Sequence, residues 1–500
     1  MPSEDELIAE RKRKREELFA QKVNPYPYTF DKTHTSIVLQ EKYKSLSNES
    51  STKDKVKVAG RIVSLRRMGK ATFAHLLDEQ GKIQVYFKFD DLKNYDQLKL
   101  ADMGDWLGVE GTIFKTKTGE VTVWANKFEI LCKSLRPLPE KWHGLTDIEQ
   151  RYRKRYVDLI MNPHIREVFK QRAKIINTIR SELDKRGFLE VDTPIIQTVY
   201  GGANAKPFNT HINTLKMDVY LRIATELHLK RLLVGGFEKV YEIGKLFRNE
   251  DADRTHNPEF TSIEMYQAHT DLEGMKELIM DLYVACAKVV HGSTKFEYQG
   301  HAIDVKKPWA SYSMIEALKK FANVDADKLT EKDLNKLCVQ HKVKLEKNPS
   351  KGMLIQALFE ELVEDELIQP TFITHHPIES TPLAKQCREP HLHENFVERF
   401  EPFIAGMEVG NAYSELNDPI VQRKLLEGQA KALRAGSEEA HPMDEDFVQA
   451  IEYGMPPAGG LGVGIDRMVM LITNNPSIRD VLFFPFMGKN HLDEKKKGDS

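Results

Sequence analysis

Three stretches of this 500-residue chain gather cations, carboxylates and phenols at spacings that could line a binding cleft. In the first, Tyr241-Glu-Ile-Gly-Lys-Leu-Phe-Arg248-Asn249-Glu250 runs into a polar loop, and His256-Asn257-Pro-Glu-Phe260-Thr-Ser-Ile263-Glu264-Met265-Tyr266 follows. Side chains alternate along a strand, so extended backbone here puts Arg248 with Glu250 on one face. It likewise puts Glu264 with Tyr266 on one face, with Ile263 and Met265 behind them. A half-exposed hairpin would explain the charges alone. An apolar back behind a mixed polar front is better explained by a cleft.

The second stretch, Glu401 to Glu415, offers Asn411, Tyr413 and Glu415 at period two. Its carboxylates Glu401 and Glu408 suit Mg²⁺, which takes one or two carboxylates together with phosphate oxygens. Strict alternation sets Glu408 opposite Asn411, so joint service at one site needs a bulge near Val409 and Gly410. The third stretch is Gly459-Gly-Leu-Gly462-Val-Gly464-Ile465-Asp466-Arg467. Its glycines allow close backbone approach, and Ile465, Met468, Val469 and Ile472 continue at helical spacing. That places Arg467 near a helix start, where anions are favoured. A tight strand-to-helix turn is the plainer reading of the glycines, which form neither a P-loop nor a dinucleotide fingerprint. His375-His376 and His391-Leu-His393 lack zinc-protease spacing and read as loop or surface histidines, and no Gly-x-Ser-x-Gly elbow is present.

The elements that would carry these groups fall into blocks. Residues 1–50 read as a helical extension and lead-in. Its run Arg11 to Arg15 is taken as a solvated helix with internal ion pairs, in preference to a polyanion-attracting arm. Residues 51–135 show short alternating runs such as Ile83/Val85/Phe87 and Val121/Val123, the pattern of a small OB-type β-barrel. A linker at 136–150 leads to a larger block, 151–490. There Phe169, Ala173, Ile176, Ile179 and Leu183 predict an amphipathic helix that Gly187 ends. A helical insertion is expected at about 290–370, supported by the capping patterns Ser313/Glu316 and Thr330/Asp333. The tail 491–500 is expected to be disordered. The fold class that follows is α+β.

Composition narrows the function. Lys plus Arg number 73 and Asp plus Glu 75, for a net charge of -2, so a polyanion site must be local. Four scattered cysteines, Cys132, Cys286, Cys338 and Cys387, form no C-x-x-C pair and suit a reducing compartment. No apolar stretch is long enough to span a membrane, and the first 22 residues hold six acidic and six basic side chains without an apolar leader. A cytoplasmic protein is the expectation.

The stretches resemble the motifs of class II aminoacyl-tRNA synthetases. Gly187-Phe-Leu-Glu-Val-Asp-Thr-Pro194 is similar to motif 1, Phe247-Arg248-Asn249-Glu250 with its loop to motif 2, and Gly462-Val-Gly464-Ile465-Asp466-Arg467 to motif 3. Within that family the chain is similar to the lysine-charging branch through Arg136-Pro-Leu-Pro-Glu-Lys-Trp-His-Gly, Gly201-Gly-Ala-Asn-Ala-Lys-Pro-Phe208, His256-Asn-Pro-Glu-Phe and Gly410-Asn-Ala-Tyr-Ser-Glu-Leu-Asn417. Two departures are His228, where the family has Tyr, and a more charged loop from Glu250 to Thr255.

The resemblance implies an OB barrel that reads an anticodon, joined to an antiparallel sheet flanked by helices, with motif 1 at a homodimer interface. It implies ATP and Mg²⁺, L-lysine and tRNA(Lys) as ligands. Lysine would be held by Gly202, Glu226, Arg248, Glu264, Tyr266, Asn411, Tyr413 and Glu415. ATP would be held by Arg248, Asn249, Glu250, His256, Asn257, Phe260, Glu401, Glu408, Val409, Gly464, Ile465, Asp466 and Arg467. Arg248 and Arg467 would act in catalysis, and Glu401 with Glu408 would hold the metal. Arg66, Phe73 and Gln84 match the anticodon positions, although Phe73 could equally be core. Aspartate- and asparagine-charging members share the barrel and motifs, but Glu264 and Glu415 favour an ammonium guest. A catalytically silent nucleic-acid-binding paralogue is opposed by the intact set Arg248, Glu401, Glu408 and Arg467.

Overall fold

The strands 51–132 bury every second side chain, and that alternation closes them into a barrel. In this computed structural model, residues 2–139, 145–250, 252–343, 345, 349–434 and 442–488 are described. The chain forms two units, divided after Thr146. In the first, Ser51–Met68, Ala71–Leu77, Lys82–Lys88, Trp106–Lys115 and Val121–Cys132 make a closed five-stranded barrel, with the fifth strand between the third and fourth. Val58, Val85, Phe87, Val109, Val123 and Phe128 fill it.

A helix, Glu4–Ala20, begins at a Ser3/Glu6 capping box. Arg13 pairs with Glu10 and Glu17, as a solvated helix would have it. Arg11 and Lys14 do not. Arg11 is buried and donates to the carbonyls of Met103, Ser134 and Arg136, and Lys14 Nζ lies 2.6 Å from Asp102. Five successive cations cannot share one helix face, and those on the inner side became anchors.

The second unit is built on one mixed sheet. Its hydrogen-bonded order is Ala310–Ser313, Thr371–Pro377, Phe396–Ile404, Gly410–Ser414, Ala458–Gly464, Glu259–Ala268, Lys239–Phe247 and Leu189–Glu190. The two end pairs are parallel and the inner ones antiparallel. The short strand Met407–Glu408 pairs onto Phe396–Ile404. Ile263, Met265, Ala412, Leu461 and Val463 share one core cluster with the apolar sides of helices Ile165–Lys185, Leu272–His291 and Ile465–Ile472. The polar side chains that alternate with them are left for a site.

Several expectations change. In Ile165–Lys185 the buried stripe runs through Ile175, Ile179 and Leu183, while Ala173 is exposed. The stripe drifts around the helix, and the smaller side chain falls outside it. The stretch at about 290–370 is not wholly helical. Lys295–Tyr298 and His301–Asp304 form a hairpin and Ala310–Ser313 joins the sheet, before helices Met314–Phe321, Glu331–Gln340 and Lys351–Leu362. Four-residue strands are too short to declare a period of two. Both expected capping boxes are present. The linker at 136–150 lies partly outside the described residues and already contains the start of helix Ile148–Arg153. The tail 491–500 lies wholly outside them. All four cysteines are free, and no described helix is long and apolar enough to cross a membrane.

Candidate active site

Two cross-strand rungs build the site floor. Glu264 pairs with Gly462, which pairs on its other side with Asn411; Tyr266 pairs with Gly460, which pairs with Tyr413. The glycines keep the middle strand low. A Cβ at Gly460 would come within 1.9 Å of Glu415 Oε1 and 2.5 Å of the Tyr266 ring, so no side chain fits between the two phenols. Above the floor is a cavity of about 360 Å³, bounded also by Gly202, Glu226, Arg248 and Arg467. That volume suits a small polar ligand or part of a nucleotide. At Gly202 (φ 89°) a Cβ would meet Ala224 at 2.9 Å, so the chain there passes tight against Ala224 and Glu226.

One end of the cavity is acidic. Glu264 accepts the Thr225 N–H at 3.0 Å and the Tyr266 hydroxyl at 3.3 Å, and burial pushes its carboxyl up to about 7. The Tyr266 and Tyr413 phenols are held far above their usual range by burial, so they stay protonated donors. Behind them stands a residue not anticipated in the sequence. Lys230, fully buried, holds Nζ 2.6 Å from Glu226 Oε1 and in ion contact with Glu415. Glu415 is therefore not an unpaired acid in the cavity wall. The strand ends at Ser414, alternation ends with it, and Glu415 turns behind Gly460 to Lys230. Burial raises both carboxyls, and the two carboxylates keep Lys230 charged.

The opposite end is cationic. The strand carrying Arg248 stops at Phe247, so Arg248, Asn249 and Glu250 reach the site from a loop. Arg248 and Glu250 line the cavity; Asn249 is exposed, donates its N–H to Lys206 O at 2.7 Å, and does not. Among the described residues Arg248 has no acidic partner. Its Nε is buried without a hydrogen bond, and its guanidinium lies 5.2 Å from the Phe260 ring centre. Arg467 donates to Glu408 O at 2.6 Å and to His256 Nε2 at 3.2 Å, while His256 Nδ1 lies 2.9 Å from Asp253. Accepting from Arg467 fixes His256 as the tautomer that carries its proton on Nδ1.

Asn257, Phe260, Val409, Gly464 and Asp466 also border the cavity. The Asp466 carboxylate is engaged with the Thr261 N–H and with Arg172, which fastens the glycine turn to the sheet. Ile465 does not border the cavity, and its side chain is wholly in the core. A second unanticipated residue is Arg399. It is ion-paired with Glu401 and donates to Asn411 Oδ1 at 3.0 Å. The alternation Arg399, Glu401 could have signalled it. His228, half-buried with its pKa lowered by burial, sits beside Gln197 and not in the cavity wall.

Glu401 and Glu408 both border the cavity, because Val409 stands between the short strand Met407–Glu408 and Gly410–Ser414 and breaks the alternation. Glu408 is raised by burial and by Glu401, and Glu364 is pushed up to about 8 by burial, with Glu360, Glu401 and Glu408 adding to the shift. This surplus of hard oxygen donors fits a divalent cation such as Mg²⁺.

On the barrel, Arg66 pairs with Phe73, Phe73 with Tyr86 and Tyr86 with Trp124, in a row across four strands. Phe73 is half-buried, absent from the barrel core, and 4.8 Å from Tyr86 ring to ring. The next row holds Ser64, His75 and Gln84, with Glu120 accepting from Gln84 Nε2 at 2.7 Å and 2.8 Å from His75 Nε2. Stacking surface beside hydrogen-bonding groups is the composition of a single-strand binding face.

Residues 147–488 match the family of tRNA synthetases class II (D, K and N), and residues 56–131 match the OB-fold nucleic acid binding domain. A lysine–tRNA ligase of Moorella thermoacetica is 48% identical over 490 residues, 97% of this chain and 99% of its own. One from Pelotomaculum thermopropionicum is 51% identical over 489 residues, 97% of this chain and 95% of its own. One from Oceanobacillus iheyensis is 51% identical over 470 residues, 93% and 95% respectively.

Proposed function

The chain belongs to the class II tRNA synthetases of the D, K and N family, and from that membership we propose that it is a lysine–tRNA ligase. It activates L-lysine with ATP to lysyl-adenylate and pyrophosphate, then passes the lysyl group to the 3′ end of tRNA(Lys). The observation that carries this reading is the acidic end of the cavity. Glu226 and Glu415 share one internal cation, Lys230, and Glu264 adds a third buried carboxyl with no ion-pair partner among the described residues, which suits that end to an ammonium group. An aspartate carboxylate would meet repulsion there, and a neutral isostere would leave Glu264 without a cationic partner.

No protein nucleophile is needed, so the chain's contribution is positioning and charge. The lysine carboxylate attacks the α-phosphorus of ATP, the bond to the bridging oxygen breaks, and pyrophosphate leaves. Arg248 holds the lysine carboxylate and α-phosphate together, and with no acidic partner among the described residues it is available for both. Arg467 takes the γ-phosphate, Phe260 stacks on adenine, and His256 with Asn257 lies along the phosphates. Glu264, Tyr266, Asn411 and Tyr413 bind the lysine side chain, with Glu415 behind them; the Gly202 carbonyl and Glu226 take the α-amino group. Glu401 and Glu408 would hold Mg²⁺, which neutralises phosphate charge when bound.

The row Arg66, Phe73 and Tyr86, with Gln84 in the next row, serves as the anticodon face. Leu189, Ile195 and Ile196, each 45 to 50% exposed around the edge strand at Leu189–Glu190, support a homodimer formed through that edge. The reaction and the four free cysteines agree with the cytoplasm. The test is ATP–pyrophosphate exchange with lysine, asparagine or aspartate as the only amino acid. Exchange with lysine alone is expected; exchange with aspartate or asparagine and none with lysine overturns the assignment.

A further inference from the structure

His375, Cys387 and Glu389 each bring a ligand atom within 4.8 Å of the others, the one such set of three metal-ligating side chains among the described residues. None of the three lines the cavity. His375 and His376 read from sequence as loop or surface residues, but both lie in the strand Thr371–Pro377. The register with Phe396–Ile404 slips between Thr374 and His376, and His375 takes the left-handed conformation, φ 55°. A bulge of this kind re-aims one side chain. Here it leaves His376 buried and turns His375 towards Cys387 and Glu389.

The hydrogen bonds around the set leave donors free for an ion. His375 Nδ1 is 3.0 Å from Thr374 Oγ1, whose own proton goes to Tyr312 O at 3.3 Å. Thr374 therefore accepts from Nδ1–H, and the lone pair remains on Nε2, the arrangement metal-bound imidazoles make with an outer partner. Cys387 is 1% exposed, and its carbonyl accepts His393 Nδ1–H at 2.9 Å. The N–H groups of Leu392 and His393 bond to Glu389 O at 2.9 and 3.1 Å, so Cys387, Glu389 and His393 belong to one hydrogen-bonded turn.

We propose that His375, Cys387 and Glu389 bind one Zn²⁺, with water as the fourth ligand. A sulfur, an imidazole and a carboxylate select zinc and exclude Mg²⁺ and Ca²⁺, which take oxygen. Zinc bonds of about 2.0 to 2.3 Å in tetrahedral geometry need donors about 3.5 Å apart, within reach of side-chain rotation. On binding, the Cys387 S–H bond breaks, an S–Zn bond forms, and the proton passes to solvent. The ion clips the two ends of the segment from His375 to Cys387, whose Ser380, Thr381 and Leu383 line the cavity. It acts as a staple for that wall and does not touch substrate.

The test uses the full-length chain, stripped with a chelator and titrated with Co²⁺ as a spectroscopic stand-in for zinc. Expected are a thiolate-to-cobalt absorption band saturating at one equivalent, its displacement by Zn²⁺, and its loss in Cys387→Ser, with weakening in Glu389→Gln. Zinc should also raise the melting temperature of the stripped protein. Absence of a thiolate band in the wild-type chain overturns the proposal whatever the variants do. So does a band that persists in Cys387→Ser, since Cys132, Cys286 or Cys338 would then be its source.

Discussion

Lys230 Nζ lies 2.6 Å from Glu226 Oε1, one helical turn earlier, and both side chains are buried. On a surface such a pair contributes a few tenths of a kcal/mol; here it sits behind the ammonium-binding acids and also holds Glu415. Replacing Lys230 by Met removes the cation that these two buried carboxyls share, and breaking a buried pair from one side costs about 3 to 5 kcal/mol. Urea unfolding should show that loss, and adding Glu415→Gln should recover part of it. A loss below about 1 kcal/mol would contradict the pairing.

Glu264 ties lysine recognition to pH. Its carboxyl is raised to about 7 by burial, so the free protein is increasingly protonated there as pH falls below 7. An ammonium guest prefers the carboxylate, hence kcat/KM for lysine should decline below about pH 7 while KM for ATP stays level. Stability runs the other way: the folded state binds this proton more tightly than the unfolded chain, so the group's contribution is full below about 4.5 and lost as pH rises through 7. Glu264→Gln should lower kcat/KM for lysine at all pH values and abolish the acidic limb. An unchanged limb in that variant would exclude Glu264 as its source.

The floor of the site was legible because it rests on strict alternation: Glu264 with Tyr266, and Asn411 with Tyr413, follow from a period of two and an apolar back. Reading that period beyond the strand ends misled. Alternation assigned Glu415 to the wall and Arg248 to a strand, but the strands stop at Ser414 and Phe247. Lys230 was invisible for another reason. Glu226 and Lys230 at i, i+4 look like an ordinary solvated pair, and only the sheet packed over them makes the pair buried. Arg399 was within reach, since it shares period two with Glu401.

The two arginines at the cationic end should separate by their partners. Arg248 has no acidic partner among the described residues, so Arg248→Ala removes charge stabilisation with little disturbance of its neighbours. Arg467 also fastens Glu408 and His256, so Arg467→Ala loosens those groups as well. Each should depress pyrophosphate exchange by about 3 to 4 kcal/mol of transition-state energy. Arg248→Lys should restore little, because one ammonium cannot bridge carboxylate and phosphate as a planar guanidinium does. Near-normal exchange in either alanine variant would remove that arginine from the mechanism.

Phe73 offers a test of the barrel independent of the cavity. As a core residue its truncation would cost about 3 to 5 kcal/mol of stability. It is instead half-buried, outside the barrel core, with one face against Tyr86 and Arg66 directly opposite. Phe73→Ala should therefore leave the barrel folded and lysine-dependent pyrophosphate exchange intact, since the cavity residues all follow Gly201 in the sequence. Losing one stacking platform should weaken tRNA binding by about 1 to 3 kcal/mol, and aminoacylation at limiting tRNA should fall in step. Melting curves, exchange and tRNA titration are measured on the same preparation. A folded variant with unchanged tRNA affinity would reject the anticodon role, and a collapse in melting temperature would return Phe73 to the core.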